Sequence, residues 1–140
     1  MRYHTAAHVI CGVLFNEAKA KITGNDLRLE KGRIDFNLEN YDREKLIEYF
    51  DKANQIIEKD LPIKIYTMPR EEALNNPDMF KLVKSFPESI KQIRIVEIVG
   101  FDKQPDGGPH VKSLKEVGKL EFLKSENKGK NNRRVYFKVD

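Results

Sequence analysis

The stretch GKLEFLKSENKGKNNRRVYFKV, residues 118–139, decides the fold class. Within it, residues 118–124 and 134–139 alternate or run apolar with charged neighbours, the pattern of strands that present one face to a core. Residues 125–132 between them are polar and contain Gly129, and they predict the turn of an antiparallel hairpin. Upstream, residues 93–99 give another strand and residues 63–67 a short one just after Pro62. Residues 27–29 and 33–38 read as a pair of strands around the Glu30-Lys31-Gly32 turn, with Thr23-Gly24-Asn25-Asp26 as a break before them. Helices fill the remainder. Ala6, Val9, Ile10, Val13, Leu14 and Ala18 recur near a 3.6-residue period and predict a helix over residues 5–21. Asp42 can cap a second helix running to residue 59, with Leu46, Ile47, Phe50, Ala53, Ile56 and Ile57 on its buried side. Pro69 opens a brief helix over residues 69–74, and residues 75–87 read as irregular or partly helical. The result is an α+β domain, a mainly antiparallel sheet packed with helices, and 140 residues make one domain, 1–140.

Composition narrows the class. With 39% hydrophobic and 34% charged residues, the chain reads as a water-soluble globular domain. No apolar run approaches the roughly 20 residues of a membrane-spanning helix, and the first 15 residues lack the pattern of a secretory signal. A cytoplasmic protein without a membrane partner is expected. Cys11 is the single cysteine, so no internal disulfide can form. A formal charge of +4 permits a polyanionic partner, although surface lysine explains it equally well.

The three histidines, His4, His8 and His110, all fall in two short motifs. In His4-Thr5-Ala6-Ala7-His8, four-residue spacing on a helix turns the second imidazole only about 40° from the first, so both rings can reach one metal ion. In Asp106-Gly107-Gly108-Pro109-His110 a carboxylate and an imidazole stand at the same spacing in a loop that two glycines can fold around an ion. Two or three imidazoles with one carboxylate suit zinc, and such histidine-rich sites more often keep an open position for water than cysteine-rich structural ones. Zinc-dependent hydrolysis is therefore expected, with no covalent nucleophile. A zincin protease fails because Thr5 replaces the general-base glutamate, and a zinc deaminase is weakened because its paired cysteines are missing. Cys11 lies at helical spacing from both His4 and His8, but a lone buried cysteine reads first as a small hydrophobe and stays out of the ligand set.

These residues resemble a family. His4-Thr5-Ala6-Ala7-His8-Val9, Gly24 with Gly32-Arg33-Ile34-Asp35-Phe36, Gly107-Gly108-Pro109-His110-Val111, Glu116-Val117-Gly118 and Lys128-Gly129-Lys130-Asn131-Asn132-Arg133-Arg134-Val135 follow the order seen in the editing domains of alanyl-tRNA synthetase. The chain is most similar to the free-standing alanyl-tRNA editing proteins, the AlaX family, and more distantly to the editing domain of bacterial threonyl-tRNA synthetase. Only three residues precede His4, which leaves no room for the glycine-rich barrel of longer relatives and points to the short type.

The resemblance implies an editing-domain fold and hydrolysis of the ester that joins a wrong amino acid, chiefly serine and secondarily glycine, to tRNA(Ala). It implies zinc held by His4, His8 and His110. The family's cysteine is replaced by Asp106, which would either bind zinc through oxygen or hold a water as general base. Ala7 replaces a threonine of many relatives, and Thr23 and Asn25 are then the polar residues proposed to recognise the substrate. Lys124, Lys128, Lys130, Arg133 and Arg134 gather charge near the last hairpin and are expected to hold the acceptor end of tRNA. The competing readings are a non-catalytic zinc-stabilised RNA-binding module and a small metal-dependent esterase unrelated to tRNA.

Overall fold

Helix α1 (Arg2–Ala18) is buried continuously from Thr5 to Phe15. A helix covered on all sides must be enclosed by other elements, and a four-stranded sheet, a second helix and a short strand supply the cover. The computed structural model describes residues 2–28, 31–37, 43–75, 91–105, 110–129 and 132–139. α1 stops three residues earlier than its periodicity predicts: Lys19 turns left-handed at φ 54°, and the Ala20 amide returns to the Leu14 carbonyl. Backbone geometry ends the helix where no glycine or proline announces it.

Strands β1 (Ile22–Leu27), β2 (Gly32–Phe36), β6 (Leu120–Asn127) and β7 (Arg133–Val139) form an antiparallel sheet in the order β1-β2-β7-β6. The predicted break at Thr23-Gly24-Asn25-Asp26 is instead the body of β1, in register with Asp35, Ile34 and Arg33 after an irregularity between Ile22 and Gly24. Its polar composition suits an edge strand, where one face and one side meet water. The final hairpin forms as predicted, with longer strands and a shorter turn, because Arg133 folds back to donate from Nη1 to Asn127 Oδ1 and to the Gly129 carbonyl, each at 2.7 Å. Ile34, Phe36, Val135 and Phe137 point inward and Arg33, Asp35, Arg134 and Tyr136 outward. This is the alternation of a sheet with one wet face. Gly32 lies opposite Phe137, and a Cβ there would sit 2.5 Å from the ring, so glycine is what lets these strands close.

Helix α2 (Arg43–Glu58) lays Leu46, Phe50, Ala53 and Ile57 on this core beside Val9, Ile10 and Leu14 of α1. Asn54 clips it to β6, accepting from the Leu120 amide at 2.8 Å and donating to its carbonyl at 3.1 Å. Asp42, its predicted cap, lies outside the described residues. The expected single sheet is divided, for β3 (Ile63–Pro69), β4 (Gln92–Ile98) and β5 (Asp102–Pro105) form a second antiparallel sheet in that order. Helix α3 (Arg70–Leu74) follows β3, and most of the stretch predicted irregular lies within the undescribed residues 76–90. Strand β5 had no sequence signal: four residues, Asp102-Lys103-Gln104-Pro105, with two charges and a proline, become a strand only because β4 offers them a partner. No described helix is long and apolar enough to cross a membrane.

Candidate active site

The two histidine motifs, more than a hundred residues apart in sequence, meet at the N-terminal half of α1. His4 and His8 project from adjacent turns of the helix, as the four-residue spacing requires. His110 arrives on the segment after β5, and its ring centre lies 4.6 Å from that of His8 and 6.0 Å from that of His4, both edge-on.

Thr5 fixes His110. Its Oγ1 is 3.0 Å from His110 Nδ1 and accepts the Val111 amide at 3.2 Å, and Thr5 itself is fully buried. This contact engages Nδ1 and leaves Nε2 as the other ring nitrogen of His110. Just beyond, Val111 enters the core and the Leu114–Val117 3₁₀ turn is closed by a reciprocal cap: Ser113 receives the Glu116 amide, and Glu116 Oε2 accepts from the amides of Lys112 and Ser113 at 2.9 Å. Arg2 Nε donates to the Val117 carbonyl at 3.0 Å, tying this turn to the start of α1. Thr5→Val, which keeps the shape but removes the hydroxyl, is expected to leave the Val111 amide without this acceptor and to cost about 1–3 kcal/mol in urea denaturation. It should also loosen the hold on His110.

The rings of His4 and His8 border a pocket of about 90 Å³, with His110 packed against them outside its lining. α1 contributes His4, Ala7, His8 and Cys11, β1 contributes Ile22, Asn25 and Leu27, and β5 contributes Gln104 and Pro105. Cys11, set aside as core, is buried yet forms part of this wall, because positions 4, 8 and 11 share one helix face. Behind His8, the carboxylate of Asp102 is enclosed, with Oδ2 4.0 Å from His8 Nδ1 and receiving Gln104 Nε2 at 2.7 Å. Neither Asp102 nor Gln104 carried a sequence signal, since both belong to the strand that was missed. Among the described residues no three His, Cys, Asp or Glu side chains are arranged to close on one ion, and Asp106, the fourth proposed ligand, lies outside them.

The other proposed site residues separate into two groups. Asn25 lines the pocket, whereas Thr23 is not part of its lining and donates to Asn132 Oδ1 at 3.2 Å. In the basic hairpin, Arg133 is buried in the turn and Arg134 binds Asp35 through Nε at 2.9 Å and Nη2 at 3.3 Å, contacts that hold the guanidinium charged more firmly than usual. Lys124 and Lys128 are exposed and share Glu126 at 3.2 and 2.7 Å, which lowers the pKa of that carboxyl. Lys130 lies outside the described residues.

The chain is 50% identical over 139 residues to the alanyl-tRNA editing protein AlaX-M of Saccharolobus solfataricus, a match covering 99% of this chain and 58% of that protein. It is 46% identical over 138 residues to the AlaX-M of Methanosarcina barkeri, covering 98% of this chain and 57% of that one. Over nearly its whole length, the chain is homologous to the free-standing alanyl-tRNA editing proteins. The alanine–tRNA ligase of Methanococcus vannielii matches at 34% over 129 residues, 90% of this chain and 14% of the ligase. Residues 93–136 match the threonyl and alanyl tRNA synthetase second additional domain. That match takes in β5 with Asp102, the segment bearing His110, and the final hairpin, so the domain model and the site overlap. The relatives carry the AlaX-M designation rather than that of a short type, and the chain spans a little over half of their length.

Proposed function

We propose that this editing domain hydrolyses the ester of wrongly charged tRNA(Ala), serine before glycine, with zinc held by His4, His8 and His110, and with Asp106 as fourth ligand or as general base. The observation that carries the reading is that His110 packs its ring against those of His4 and His8, the two histidines that border the small pocket. Imidazoles that share a tetrahedral zinc stand with ring centres roughly 5 Å apart, and the observed 4.6 and 6.0 Å bracket that value. The donor set fits zinc in kind as well, being nitrogen-rich with one carboxylate. A zinc ion bound there supplies the Lewis acidity that ester hydrolysis draws on.

The chain's own residues supply the rest. Ile22 and Leu27 give the pocket apolar walls that exclude water from the ester, and the confined volume favours a small amino acid. The Asn25 amide, on the same wall, is placed to orient the substrate's polar groups. Asp106, at the head of the His110 motif, joins the ligands or holds the attacking water as base. The tRNA backbone is assigned to the exposed Lys124 and Lys128 with Lys130, while Arg133 and Arg134 serve the hairpin's own structure. The Thr23 bond to Asn132 ties the basic turn to β1, the strand that walls the pocket, so phosphates held at the turn would lie beside the ester.

The test is single-turnover deacylation of Ser-tRNA(Ala), Gly-tRNA(Ala) and Ala-tRNA(Ala) by purified protein of measured zinc content. The expected result is fast loss of serine, slower loss of glycine and little loss of alanine, all abolished by chelation and restored by zinc. Equal rates on all three would sink the editing assignment, and full activity after zinc removal would sink the metal.

A further inference from the structure

Asp102 is a carboxylate without an assigned task, shut in beside one of the proposed ligands. Its side chain is 1% exposed, His8 beside it is 8% exposed, and Oδ2 approaches His8 Nδ1 to 4.0 Å. That is charge-contact distance rather than a hydrogen bond, and such contacts in a site without its ligand commonly tighten when the ligand arrives. A carboxylate buried this deeply costs several kcal/mol unless neighbouring groups answer its charge, so its place is built rather than incidental. Gln104 Nε2 donates to the same Oδ2 at 2.7 Å and fixes the carboxylate's rotation, and Gln104 is itself buried.

The backbone is shaped for this approach. Gly12 lies one turn after His8 on α1, and a Cβ there would stand 2.8 Å from the Phe101 ring and 3.4 Å from the Asp102 carboxyl carbon. A mid-helix glycine costs roughly 1 kcal/mol against alanine. Here it lets the start of β5 press against the helix at the height of His8. Thr5 meets His110 through Nδ1 in the same manner, so two of the three imidazoles are braced at the same ring atom by a buried oxygen.

We infer that Asp102 is a positioning residue for His8: it accepts a hydrogen bond from Nδ1–H, sets the ring's tautomer and orientation, and leaves Nε2 as the donor nitrogen in the pocket. The inference deepens the zinc reading of the site and rests on it. Carboxylate partners of ligating histidines typically contribute ten- to a hundredfold in metal affinity.

The experiment compares wild type, Asp102→Asn and His8→Ala in two measurements. Zinc affinity is read by competition with a chromophoric chelator, and the His8 tautomer by long-range ¹H–¹⁵N NMR on the metal-free protein, with thermal unfolding as a control. In wild type, His8 is expected with its proton on Nδ1. Asp102→Asn should shift it toward the Nε2–H form and weaken zinc ten- to a hundredfold, with thermal stability little changed. A wild-type His8 already in the Nε2–H form would overturn the inference, as would Asp102→Asn binding zinc within twofold of wild type. Loss of stability without a tautomer change would make Asp102 merely structural and overturn it likewise. The zinc reading fails separately, if wild type and His8→Ala bind zinc equally weakly. The tautomer still judges Asp102 in that case.

Discussion

His8→Ala is expected to lose zinc and to deacylate mischarged tRNA at least about a thousandfold more slowly than wild type. The reasoning starts from position: His8 stands nearest His110, with ring centres 4.6 Å apart, and faces the pocket from the middle of a buried helix. A catalytic metal contributes several kcal/mol of transition-state stabilisation, and each 1.4 kcal/mol is a factor of ten in rate. The fold should survive, because alanine is a strong helix former and His8 borders the pocket rather than the Ile34, Phe36 and Phe137 core. Zinc content by atomic emission, circular dichroism and single-turnover deacylation on one preparation would show it. Undiminished hydrolysis by a metal-free His8→Ala protein would end the zinc mechanism.

Phe137→Ala should be the most damaging change to stability, about 3–5 kcal/mol of a total that for domains of this kind is about 5–15. The ring is fully buried between helices and sheet, with Tyr3 at 5.7 Å and Phe50 at 6.2 Å between ring centres, and it fills the space opposite Gly32. Truncation leaves a cavity that the close-packed neighbours fill only in part. Tyr136→Ala, one residue away on the outer face, should cost far less. There the half-exposed ring faces the amines of Lys31 and Lys124, which lie 5.7 and 4.8 Å from its centre. Urea denaturation of both variants, read as a shift in midpoint at constant slope, would separate them. Equal losses would contradict the assignment of Phe137 to the inner and Tyr136 to the outer face.

Much of this molecule was legible in the sequence, and the reasons are local. Apolar spacing along α1 and α2 and alternation along β7 mark which face goes inward, because burial is the largest favourable term and each period shows where it can be collected. The four-residue spacing of His4 and His8 fixes their common face for the same geometric reason. Where packing overrides local signal, the sequence misled. Thr23 to Asp26 look like a loop and are a strand, since β2 supplies hydrogen bonds that no local pattern records. Strand β5 is too short and too polar to announce itself, and with it Asp102 and Gln104 went unseen beside His8. Cys11 read as core because a cysteine at helical spacing is ambiguous until the opposite wall of the pocket is known.

The functional surface divides along the same line. The sequence by itself determined the helix, the last hairpin, the histidine pairing across the chain and the kinship with alanyl-tRNA editing proteins, because residue type, spacing and order carry each of them. Only the tertiary structure decided which cations are already spent. Arg134 lies against Asp35, ninety-nine residues away, and Arg133 closes its own turn, whereas Lys124 and Lys128 share Glu126 but stay exposed at the surface. It likewise decided that Thr5 braces His110 and that Thr23 holds the hairpin rather than lining the pocket. A side chain's partner is fixed by what the whole fold brings within 3 Å of it, and contacts between residues a hundred positions apart leave no trace in either residue's own neighbourhood.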